Sequence, residues 1–245
     1  MDKIEFLKNI QGPEQKSEAW LELRGKYLTT SSYGSIFGVS KYSKPEDVLI
    51  EKCLPKGVKK NFSGSVATYH GEKYETEALD LYCKLMGKTN YEFGLRSWEE
   101  VNPIRRLPDD IKQFLEDNPH LRTDILACSV DGISIDNNNE EEPVLLEVKC
   151  PYRRKIINNH VPIEYMSQVQ MNLWIMDIEK ADFVEYIPPN HFGQPLQLNI
   201  VRVHRDHDYF KKHLVILNDF WKQIEYWREN DITKHPYYEK YSKDL

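Results

Sequence analysis

PVLLEVKCP, residues 143–151, is an apolar run interrupted by two charges, Glu147 and Lys149. Side chains two apart on a strand share a face, so Glu147 and Lys149 project together while Leu146 and Val148 point the other way. Just upstream, Asp124 to Ile135 reads as a strand carrying SVDG, residues 129–132, and the polar run Asn137 to Glu142 reads as the loop tip between the two strands. If that hairpin closes, Asp131 lies beside Glu147. Two carboxylates and a backbone carbonyl, that of Val148, then offer oxygen ligands to a hard cation such as magnesium, which keeps several of its waters. Lys149 adds an ammonium able to position or deprotonate an attacking water, or to neutralise charge developing on phosphorus. A surface hairpin whose Glu147–Lys149 pair faces solvent would need no such chemistry, and the short motif alone does not choose between the two.

Outward from this hairpin, the elements alternate. Ser17 is placed to cap a short helix bearing Trp20, Leu21 and Leu23, and the hydroxyls within Thr29 to Ser32 predict a second helix start, with Arg24 at the junction. From about Ala67 to Met86, Tyr74, Ala78, Leu81 and Leu85 recur at helical spacing, and Gly87 suits the C-terminal cap. A helix from about Ile163 to Ile178 carries Met166, Val169, Leu173 and Met176. Strands follow at Phe183 to Ile187 and Leu196 to Val203, then a last helix from about His207 to Glu229. This order predicts an α/β fold, a mixed central sheet flanked by helices. No Gly- or Pro-rich linker divides residues 1–245, so a single domain is expected, with the motifs in a core of about 17–203 and a C-terminal helix at about 207–230.

Composition bounds the function. A chain of 245 residues, 40% of them hydrophobic, can bury a substantial core. No apolar run is long enough to span a bilayer, and the N-terminus MDKIEFLKNIQG lacks the apolar stretch of a secretory signal, so a soluble, intracellular protein is expected, with no membrane partner. Cys53, Cys83, Cys128 and Cys150 lie far apart, outside the spacing of zinc or redox motifs, and read as reduced thiols. The net charge of −6 argues against a generally basic nucleic-acid binder, leaving local clusters: Lys52, Lys56, Lys59 and Lys60; Arg105 and Arg106; Arg153, Arg154 and Lys155; Lys211 and Lys212. Each is otherwise an ordinary solvated surface. Most of the aromatic residues are expected in the core, and none is assigned to DNA.

Taken together, the motifs resemble the lambda-type exonucleases, or YqaJ viral recombinases, which share a restriction-endonuclease-like core. WLELRGKYLTTSS at Trp20 to Ser32, GEKYETEA at Gly71 to Ala78, SVDG, LLEVKCP and YMSQVQ occur in the family's order, and five ordered motifs are far more specific than one. The resemblance implies that Asp131 and Glu147 are metal ligands, Lys149 the catalytic lysine, and Glu75 the helical acid that completes the site. It places Gln168 and Tyr165 on a helix beside that site. It also implies that Arg24 and Ser31 receive a 5′ phosphate, with Ser129 touching phosphate nearby. Without it, Glu75 reads as solvent-exposed, Arg24 as a cation complementing a helix dipole, and Ser31 as a plain cap.

The activity implied is that of a magnesium-dependent enzyme, with manganese as a substitute, that degrades linear double-stranded DNA from 5′-phosphorylated ends to mononucleotides. A closed trimeric ring, a single-strand annealing partner, a role in recombination or viral DNA processing, and a host cytoplasmic or nuclear location come with it. An endonuclease on the same core would carry the same hairpin, and only the Arg24 to Ser32 segment favours ends. A noncatalytic DNA-binding module would have no use for acids aimed at phosphate. Two departures stand out: Thr30 replaces the family's alanine before Ser31, and Val130 replaces a proline before Asp131.

Overall fold

The computed structural model describes residues 3–13, 17–54, 65–138, 141–189 and 195–243. In chain order the helices are α1 (Lys3–Lys8), α2 (Glu18–Gly25), α3 (Tyr33–Ile36), α4 (Pro45–Cys53), α5 (Val66–Met86), α6 (Trp98–Val101), α7 (Asp109–Asp117), α8 (Ile163–Met176), α9 (His207–Glu229) and α10 (Tyr238–Ser242). The strands are β1 (Leu28–Thr29), β2 (Lys88–Tyr91), β3 (Leu95–Ser97), β4 (Leu126–Ser129), β5 (Gly132–Asp136), β6 (Val144–Lys149), β7 (Lys180–Ile187) and β8 (Gln197–His204). The caps form as their residues predict. Ser17 Oγ accepts from the Trp20 amide at 3.2 Å, Ser65 Oγ accepts from the Thr68 amide at 3.1 Å, and Gly87 closes α5 at φ 64°, in the left-handed region that suits glycine.

β2, β5, β6, β7 and β8 form a five-stranded mixed sheet in that order, with β6 and β7 parallel and the other pairs antiparallel. The parallel step needs a crossover, which α8 supplies. One face of the sheet packs on α5 through Leu146, Val148, Val184 and Tyr186 against Ala78, Leu79 and Tyr82. The other meets α8, in which every residue from Val169 to Met176 is buried. A helix buried all round belongs at the centre of a fold, with layers on both sides. One apolar core runs from Ile4 to Ile224 and takes in Trp98, Trp174, Phe183 and Phe210. Helix α9 packs onto it through Phe210, Leu214, Leu217, Phe220, Trp221 and Ile224.

The strand expected from Asp124 to Ile135 divides. β4 lies in a separate three-stranded sheet, ordered β1–β4–β3, while β5 joins the large sheet, and Val130 and Asp131 form the break between them. Past Gly132, which pairs with Leu146, the edge of β6 is met by a side chain instead of backbone: Asp131 Oδ2 accepts from the Val148 amide at 2.6 Å. A Cβ at Gly132 would stand 1.9 Å from Asn90 Oδ1 on β2, so any other residue there would have to displace the Asn90 side chain. β2 and β3, which escape sequence reading, pair with β5 and β4 respectively. They are short, partly polar and interrupted at Gly94, so neither shows a clear alternation.

The acidic loop tip is not simply solvated, although Asn139 and Glu140 lie outside the described residues. Glu141 forms ion pairs with Lys88 of β2 and Arg202 of β8, and Arg202 in turn pairs with buried Asp182. Lys88 foremost, then Arg202, holds the Glu141 carboxyl down to about 2 from its ordinary 4.5. A carboxylate depressed in the folded state stabilises above its unfolded pKa, and that contribution is lost as pH falls from about 4.5 through about 2. Glu141→Gln should therefore lower the melting temperature at pH 7 and lessen its further fall between pH 5 and pH 3. Parallel pH–melting curves for the two proteins would reject this assignment.

Candidate active site

The geometry starts from strand pleating. On β6, Glu147 and Lys149 face α8, beside Phe183 and Glu185, their register partners on β7. Glu147 is fully buried, at 0% exposure, while a quarter of the Lys149 side chain remains accessible. The two form an ion pair, which contradicts the solvent-facing alternative: a surface pair would not have one member sealed in the core. Glu147 Oε2 accepts a second hydrogen bond, 2.9 Å from Asn172 Nδ2 on α8. Burial pushes the Glu147 carboxyl well above the usual carboxylate range; Lys149 pulls it back, and Asp131 and Glu75 push it up again. Burial disfavours the Lys149 ammonium, but Glu147 and Asp131 outweigh it and hold its pKa above the ordinary value.

Asp131 approaches from the β4–β5 break. Amide and carbonyl of one strand residue point to the same side, so the Val148 carbonyl faces the edge at which its amide meets Asp131. Glu75 on α5 lines the same cleft as Val148, Lys149 and Cys150, so it faces the site and is not the solvated helix residue that its neighbours suggest. Among the described residues no three His, Cys, Asp or Glu side chains converge into a cage. What the chain presents is Asp131, Glu147 and the Val148 carbonyl on one side, with Glu75 across the cleft. These donors are all oxygens, and Asp131 and Glu75 are close enough to push the Glu147 carboxyl up, which fits a hard divalent cation that retains water.

Helix α8 contributes three side chains on one face, since residues three and four apart align. Tyr165 lies under the Lys149 ammonium, 5.5 Å from ring centroid to Nζ, and stacks on Phe183. Asn172 holds Glu147. Gln168 lies between them, half buried, without a hydrogen-bond partner among the described residues. Asn172 escapes sequence reading, although a polar residue within an otherwise apolar buried helix, one turn from Gln168, is the signal that marks it.

A second group forms at α2. The Arg24 guanidinium lies 4.5 Å over the Trp20 ring and donates to Ser31 Oγ at 3.0 Å and Thr29 Oγ1 at 3.3 Å. Its alternative role, complementing the end of α2, is taken by others: Lys52 Nζ donates to the carbonyls of Arg24 and Tyr27, both at 2.7 Å, and Arg228 to that of Gly25. Among the described residues Arg24 makes no ion pair, and burial lowers its pKa, offset only in part by the charge of Glu51. β1 runs parallel to β4 with Thr29 opposite Ala127, so Ser129 lies further along β4, between this group and Asp131.

The basic clusters divide likewise. Lys52 is engaged as described, and Lys56, Lys59 and Lys60 lie outside the described residues. Arg105 is packed on Trp98 and donates to the carbonyls of Trp174 and Ile175; Lys211 pairs with Asp110. Arg153 and Arg154 line the cleft of about 900 Å³ that also exposes Lys149.

Residues 19–179 match the model of the YqaJ-like viral recombinase domain. The chain belongs to that family. It is 28% identical over 197 residues to the uncharacterized protein R354 of Acanthamoeba polyphaga mimivirus, covering 75% of this chain and 31% of that protein. It is also 28% identical over 170 residues to protein D345L of African swine fever virus (strain Badajoz 1971 Vero-adapted), covering 66% and 46%. The chain thus spans less than half the length of these viral relatives. Its fold is similar to that of LHK-Exo, an alkaline exonuclease from Laribacter hongkongensis, in complex with dAMP, at TM-score 0.62 and 18% identity over 87% of this chain and 95% of that one. The restriction-endonuclease-like α/β core expected from the motifs is therefore present, and no helix among the described residues is long and apolar enough to cross a membrane.

Proposed function

We propose that this chain is a divalent-cation-dependent nuclease that degrades linear double-stranded DNA from 5′-phosphorylated ends, in the 5′-to-3′ direction, releasing mononucleotides. The observation that carries the reading is the junction of Asp131, Glu147, the Val148 carbonyl and Lys149, of which Val148 and Lys149 line the cleft. Acids gathered around an ammonium suit phosphodiester hydrolysis better than simple binding, because without a cation they repel phosphate. Asp131, Glu147 and the Val148 carbonyl would hold magnesium or manganese, with Glu75 assisting from the opposite wall. Bound there, the ion supplies Lewis-acid charge at the phosphate. Asn172 fixes the Glu147 carboxylate; Lys149 orients the attacking water or offsets charge on the phosphoryl oxygens; Gln168 offers its amide to the water or a phosphate, and Tyr165 supports Lys149. Trimeric assembly, an annealing partner and a role in recombination or viral DNA processing belong to the same proposal. Digestion of linear and covalently closed duplex with magnesium or EDTA tests it: magnesium-dependent loss of the linear form alone is expected, and cutting of closed circles would replace the reading with an endonuclease.

Arg24 and Ser31, with Ser129 nearby, would take the end phosphate. A guanidinium with only hydroxyl partners has hydrogen bonds to spare for an anion, and a charge-assisted contact of this kind contributes about 1.5–3 kcal/mol. Arg24→Ala is expected to remove a preference of roughly tenfold or more for 5′-phosphate over 5′-hydroxyl ends. Initial rates on the two substrates at fixed salt measure it, and a wild type indifferent to the end group refutes it.

Asn172 acts as a positioning residue. Asn172→Ala should weaken the rate or the magnesium response by about 10–100-fold, the usual effect of losing a ligand's hydrogen-bond partner. The diagnostic readout is the magnesium concentration at half-maximal rate, which a purely structural role would leave unmoved.

A further inference from the structure

Beyond Lys149 the cleft continues over a turn, Pro151 to Arg154, that the assigned residues leave unused. Arg154 anchors it: its guanidinium forms an ion pair of 2.5 Å with Glu185, a carboxylate fully buried on β7 whose other oxygen accepts from Asn199 Nδ2 at 3.0 Å. The same guanidinium lies 5.6 Å from the Tyr165 ring. A buried charge pair of this sort fixes geometry, because displacing either partner leaves the other unpaired in the interior. The two residues before it are presented outward. Tyr152 is 45% exposed at the cleft wall, and its ring is backed by His70 at 5.3 Å, itself 4.7 Å from Tyr74. Arg153 is exposed and makes no ion pair among the described residues; its guanidinium lies over the Tyr152 ring, 5.5 Å from the centroid, where an incoming base would take its place as the guanidinium turns to the phosphate. Tyr42, 73% exposed, lines the same cleft.

We propose that Tyr152 and Arg153 bind one unpaired nucleotide, its base stacked on the Tyr152 ring and its phosphate on the Arg153 guanidinium. This rests on the reading that the chain acts on DNA, and it adds that the strand beside Lys149 is held single. An exposed aromatic face takes any base, since every base has a π-face, and a neighbouring cation without a counter-ion takes the backbone charge. Volume agrees: about 900 Å³ lies within the roughly 300–1,000 Å³ of small-ligand pockets and gives room for a nucleotide. Glu72 and Glu75 also line the cleft, on the α5 side, and would direct the phosphate away from that helix.

The test uses the full chain in calcium at fixed salt and two 5′-phosphorylated probes carrying a 3′ fluorophore, a thymidine trinucleotide and the same backbone without bases. Fluorescence anisotropy should show the base-bearing strand binding about tenfold more tightly. Tyr152→Ala should erase that preference and Tyr152→Phe keep it. Arg153→Gln should weaken both strands alike and reduce the log–log salt slope by about 0.7, the value of one single-strand phosphate contact. Equal wild-type affinity for the two probes, or a preference that survives Tyr152→Ala, overturns the site. Digestion of linear duplex in magnesium, run in parallel, reads the nuclease proposal separately: turnover without base preference overturns this site alone, and base preference without turnover overturns the nuclease reading alone.

Discussion

Asp131→Asn and Glu147→Gln are each expected to lower turnover on linear duplex by more than about 100-fold, beyond the usual loss from an outer partner of a metal ligand. Both substitutions keep an oxygen that can accept the hydrogen bonds now made by the Val148 amide and Asn172, so the fold should persist while one negative charge leaves the donor set. Removing charge from a hard-cation site costs affinity directly. DNA binding in calcium, governed by basic contacts to phosphate, should remain, measured by mobility shift at the same salt. Full magnesium-dependent activity in either variant would refute the assignment. An unfolded variant would show in its melting curve, and the other substitution then carries the test.

Lys149→Met should slow the chemical step by about 10²–10³-fold, the range for removing one group that stabilises transition-state charge. Methionine keeps much of the side chain's volume against Tyr165 but offers no proton and no charge. Lys149→Arg should not restore the rate, because a planar guanidinium fills the space differently and cannot serve as a base. Single-turnover rapid quench separates this from binding, and the magnesium dependence should stay near wild type. A near-normal single-turnover rate for Lys149→Met would reduce the lysine to a counter-ion of Glu147.

Much of this was legible along the chain because it is local. Strand alternation alone put Glu147 and Lys149 on one face of β6 and Leu146 and Val148 on the other, as the buried ion pair and the α5 contacts bear out. Capping chemistry located the start of α2 at Ser17 and the end of α5 at Gly87. Arg24 and Ser31 are near enough in sequence that one turn brings them together, and the motif order identified the family.

Other features depend on chain segments that only folding brings together. Asn172 is 25 residues from Glu147, and Asp131 is 17 from the Val148 amide it meets. Glu141 is 53 from Lys88 and 61 from Arg202. No periodicity encodes such pairs, because hydrophobic patterning specifies which face is buried and leaves open which polar group waits on the neighbouring element. The sequence by itself determined which face of β6 carries Glu147 and Lys149, where α2 starts and α5 ends, and the family to which the chain belongs. Tertiary structure decided that the Asp124 to Ile135 strand breaks at Asp131, that Glu75 faces the cleft, and that Tyr152 and Arg153 stand at its wall. The physical reason is that a buried charge or an exposed ring acquires its role from the groups packed around it, and those come from distant parts of the chain.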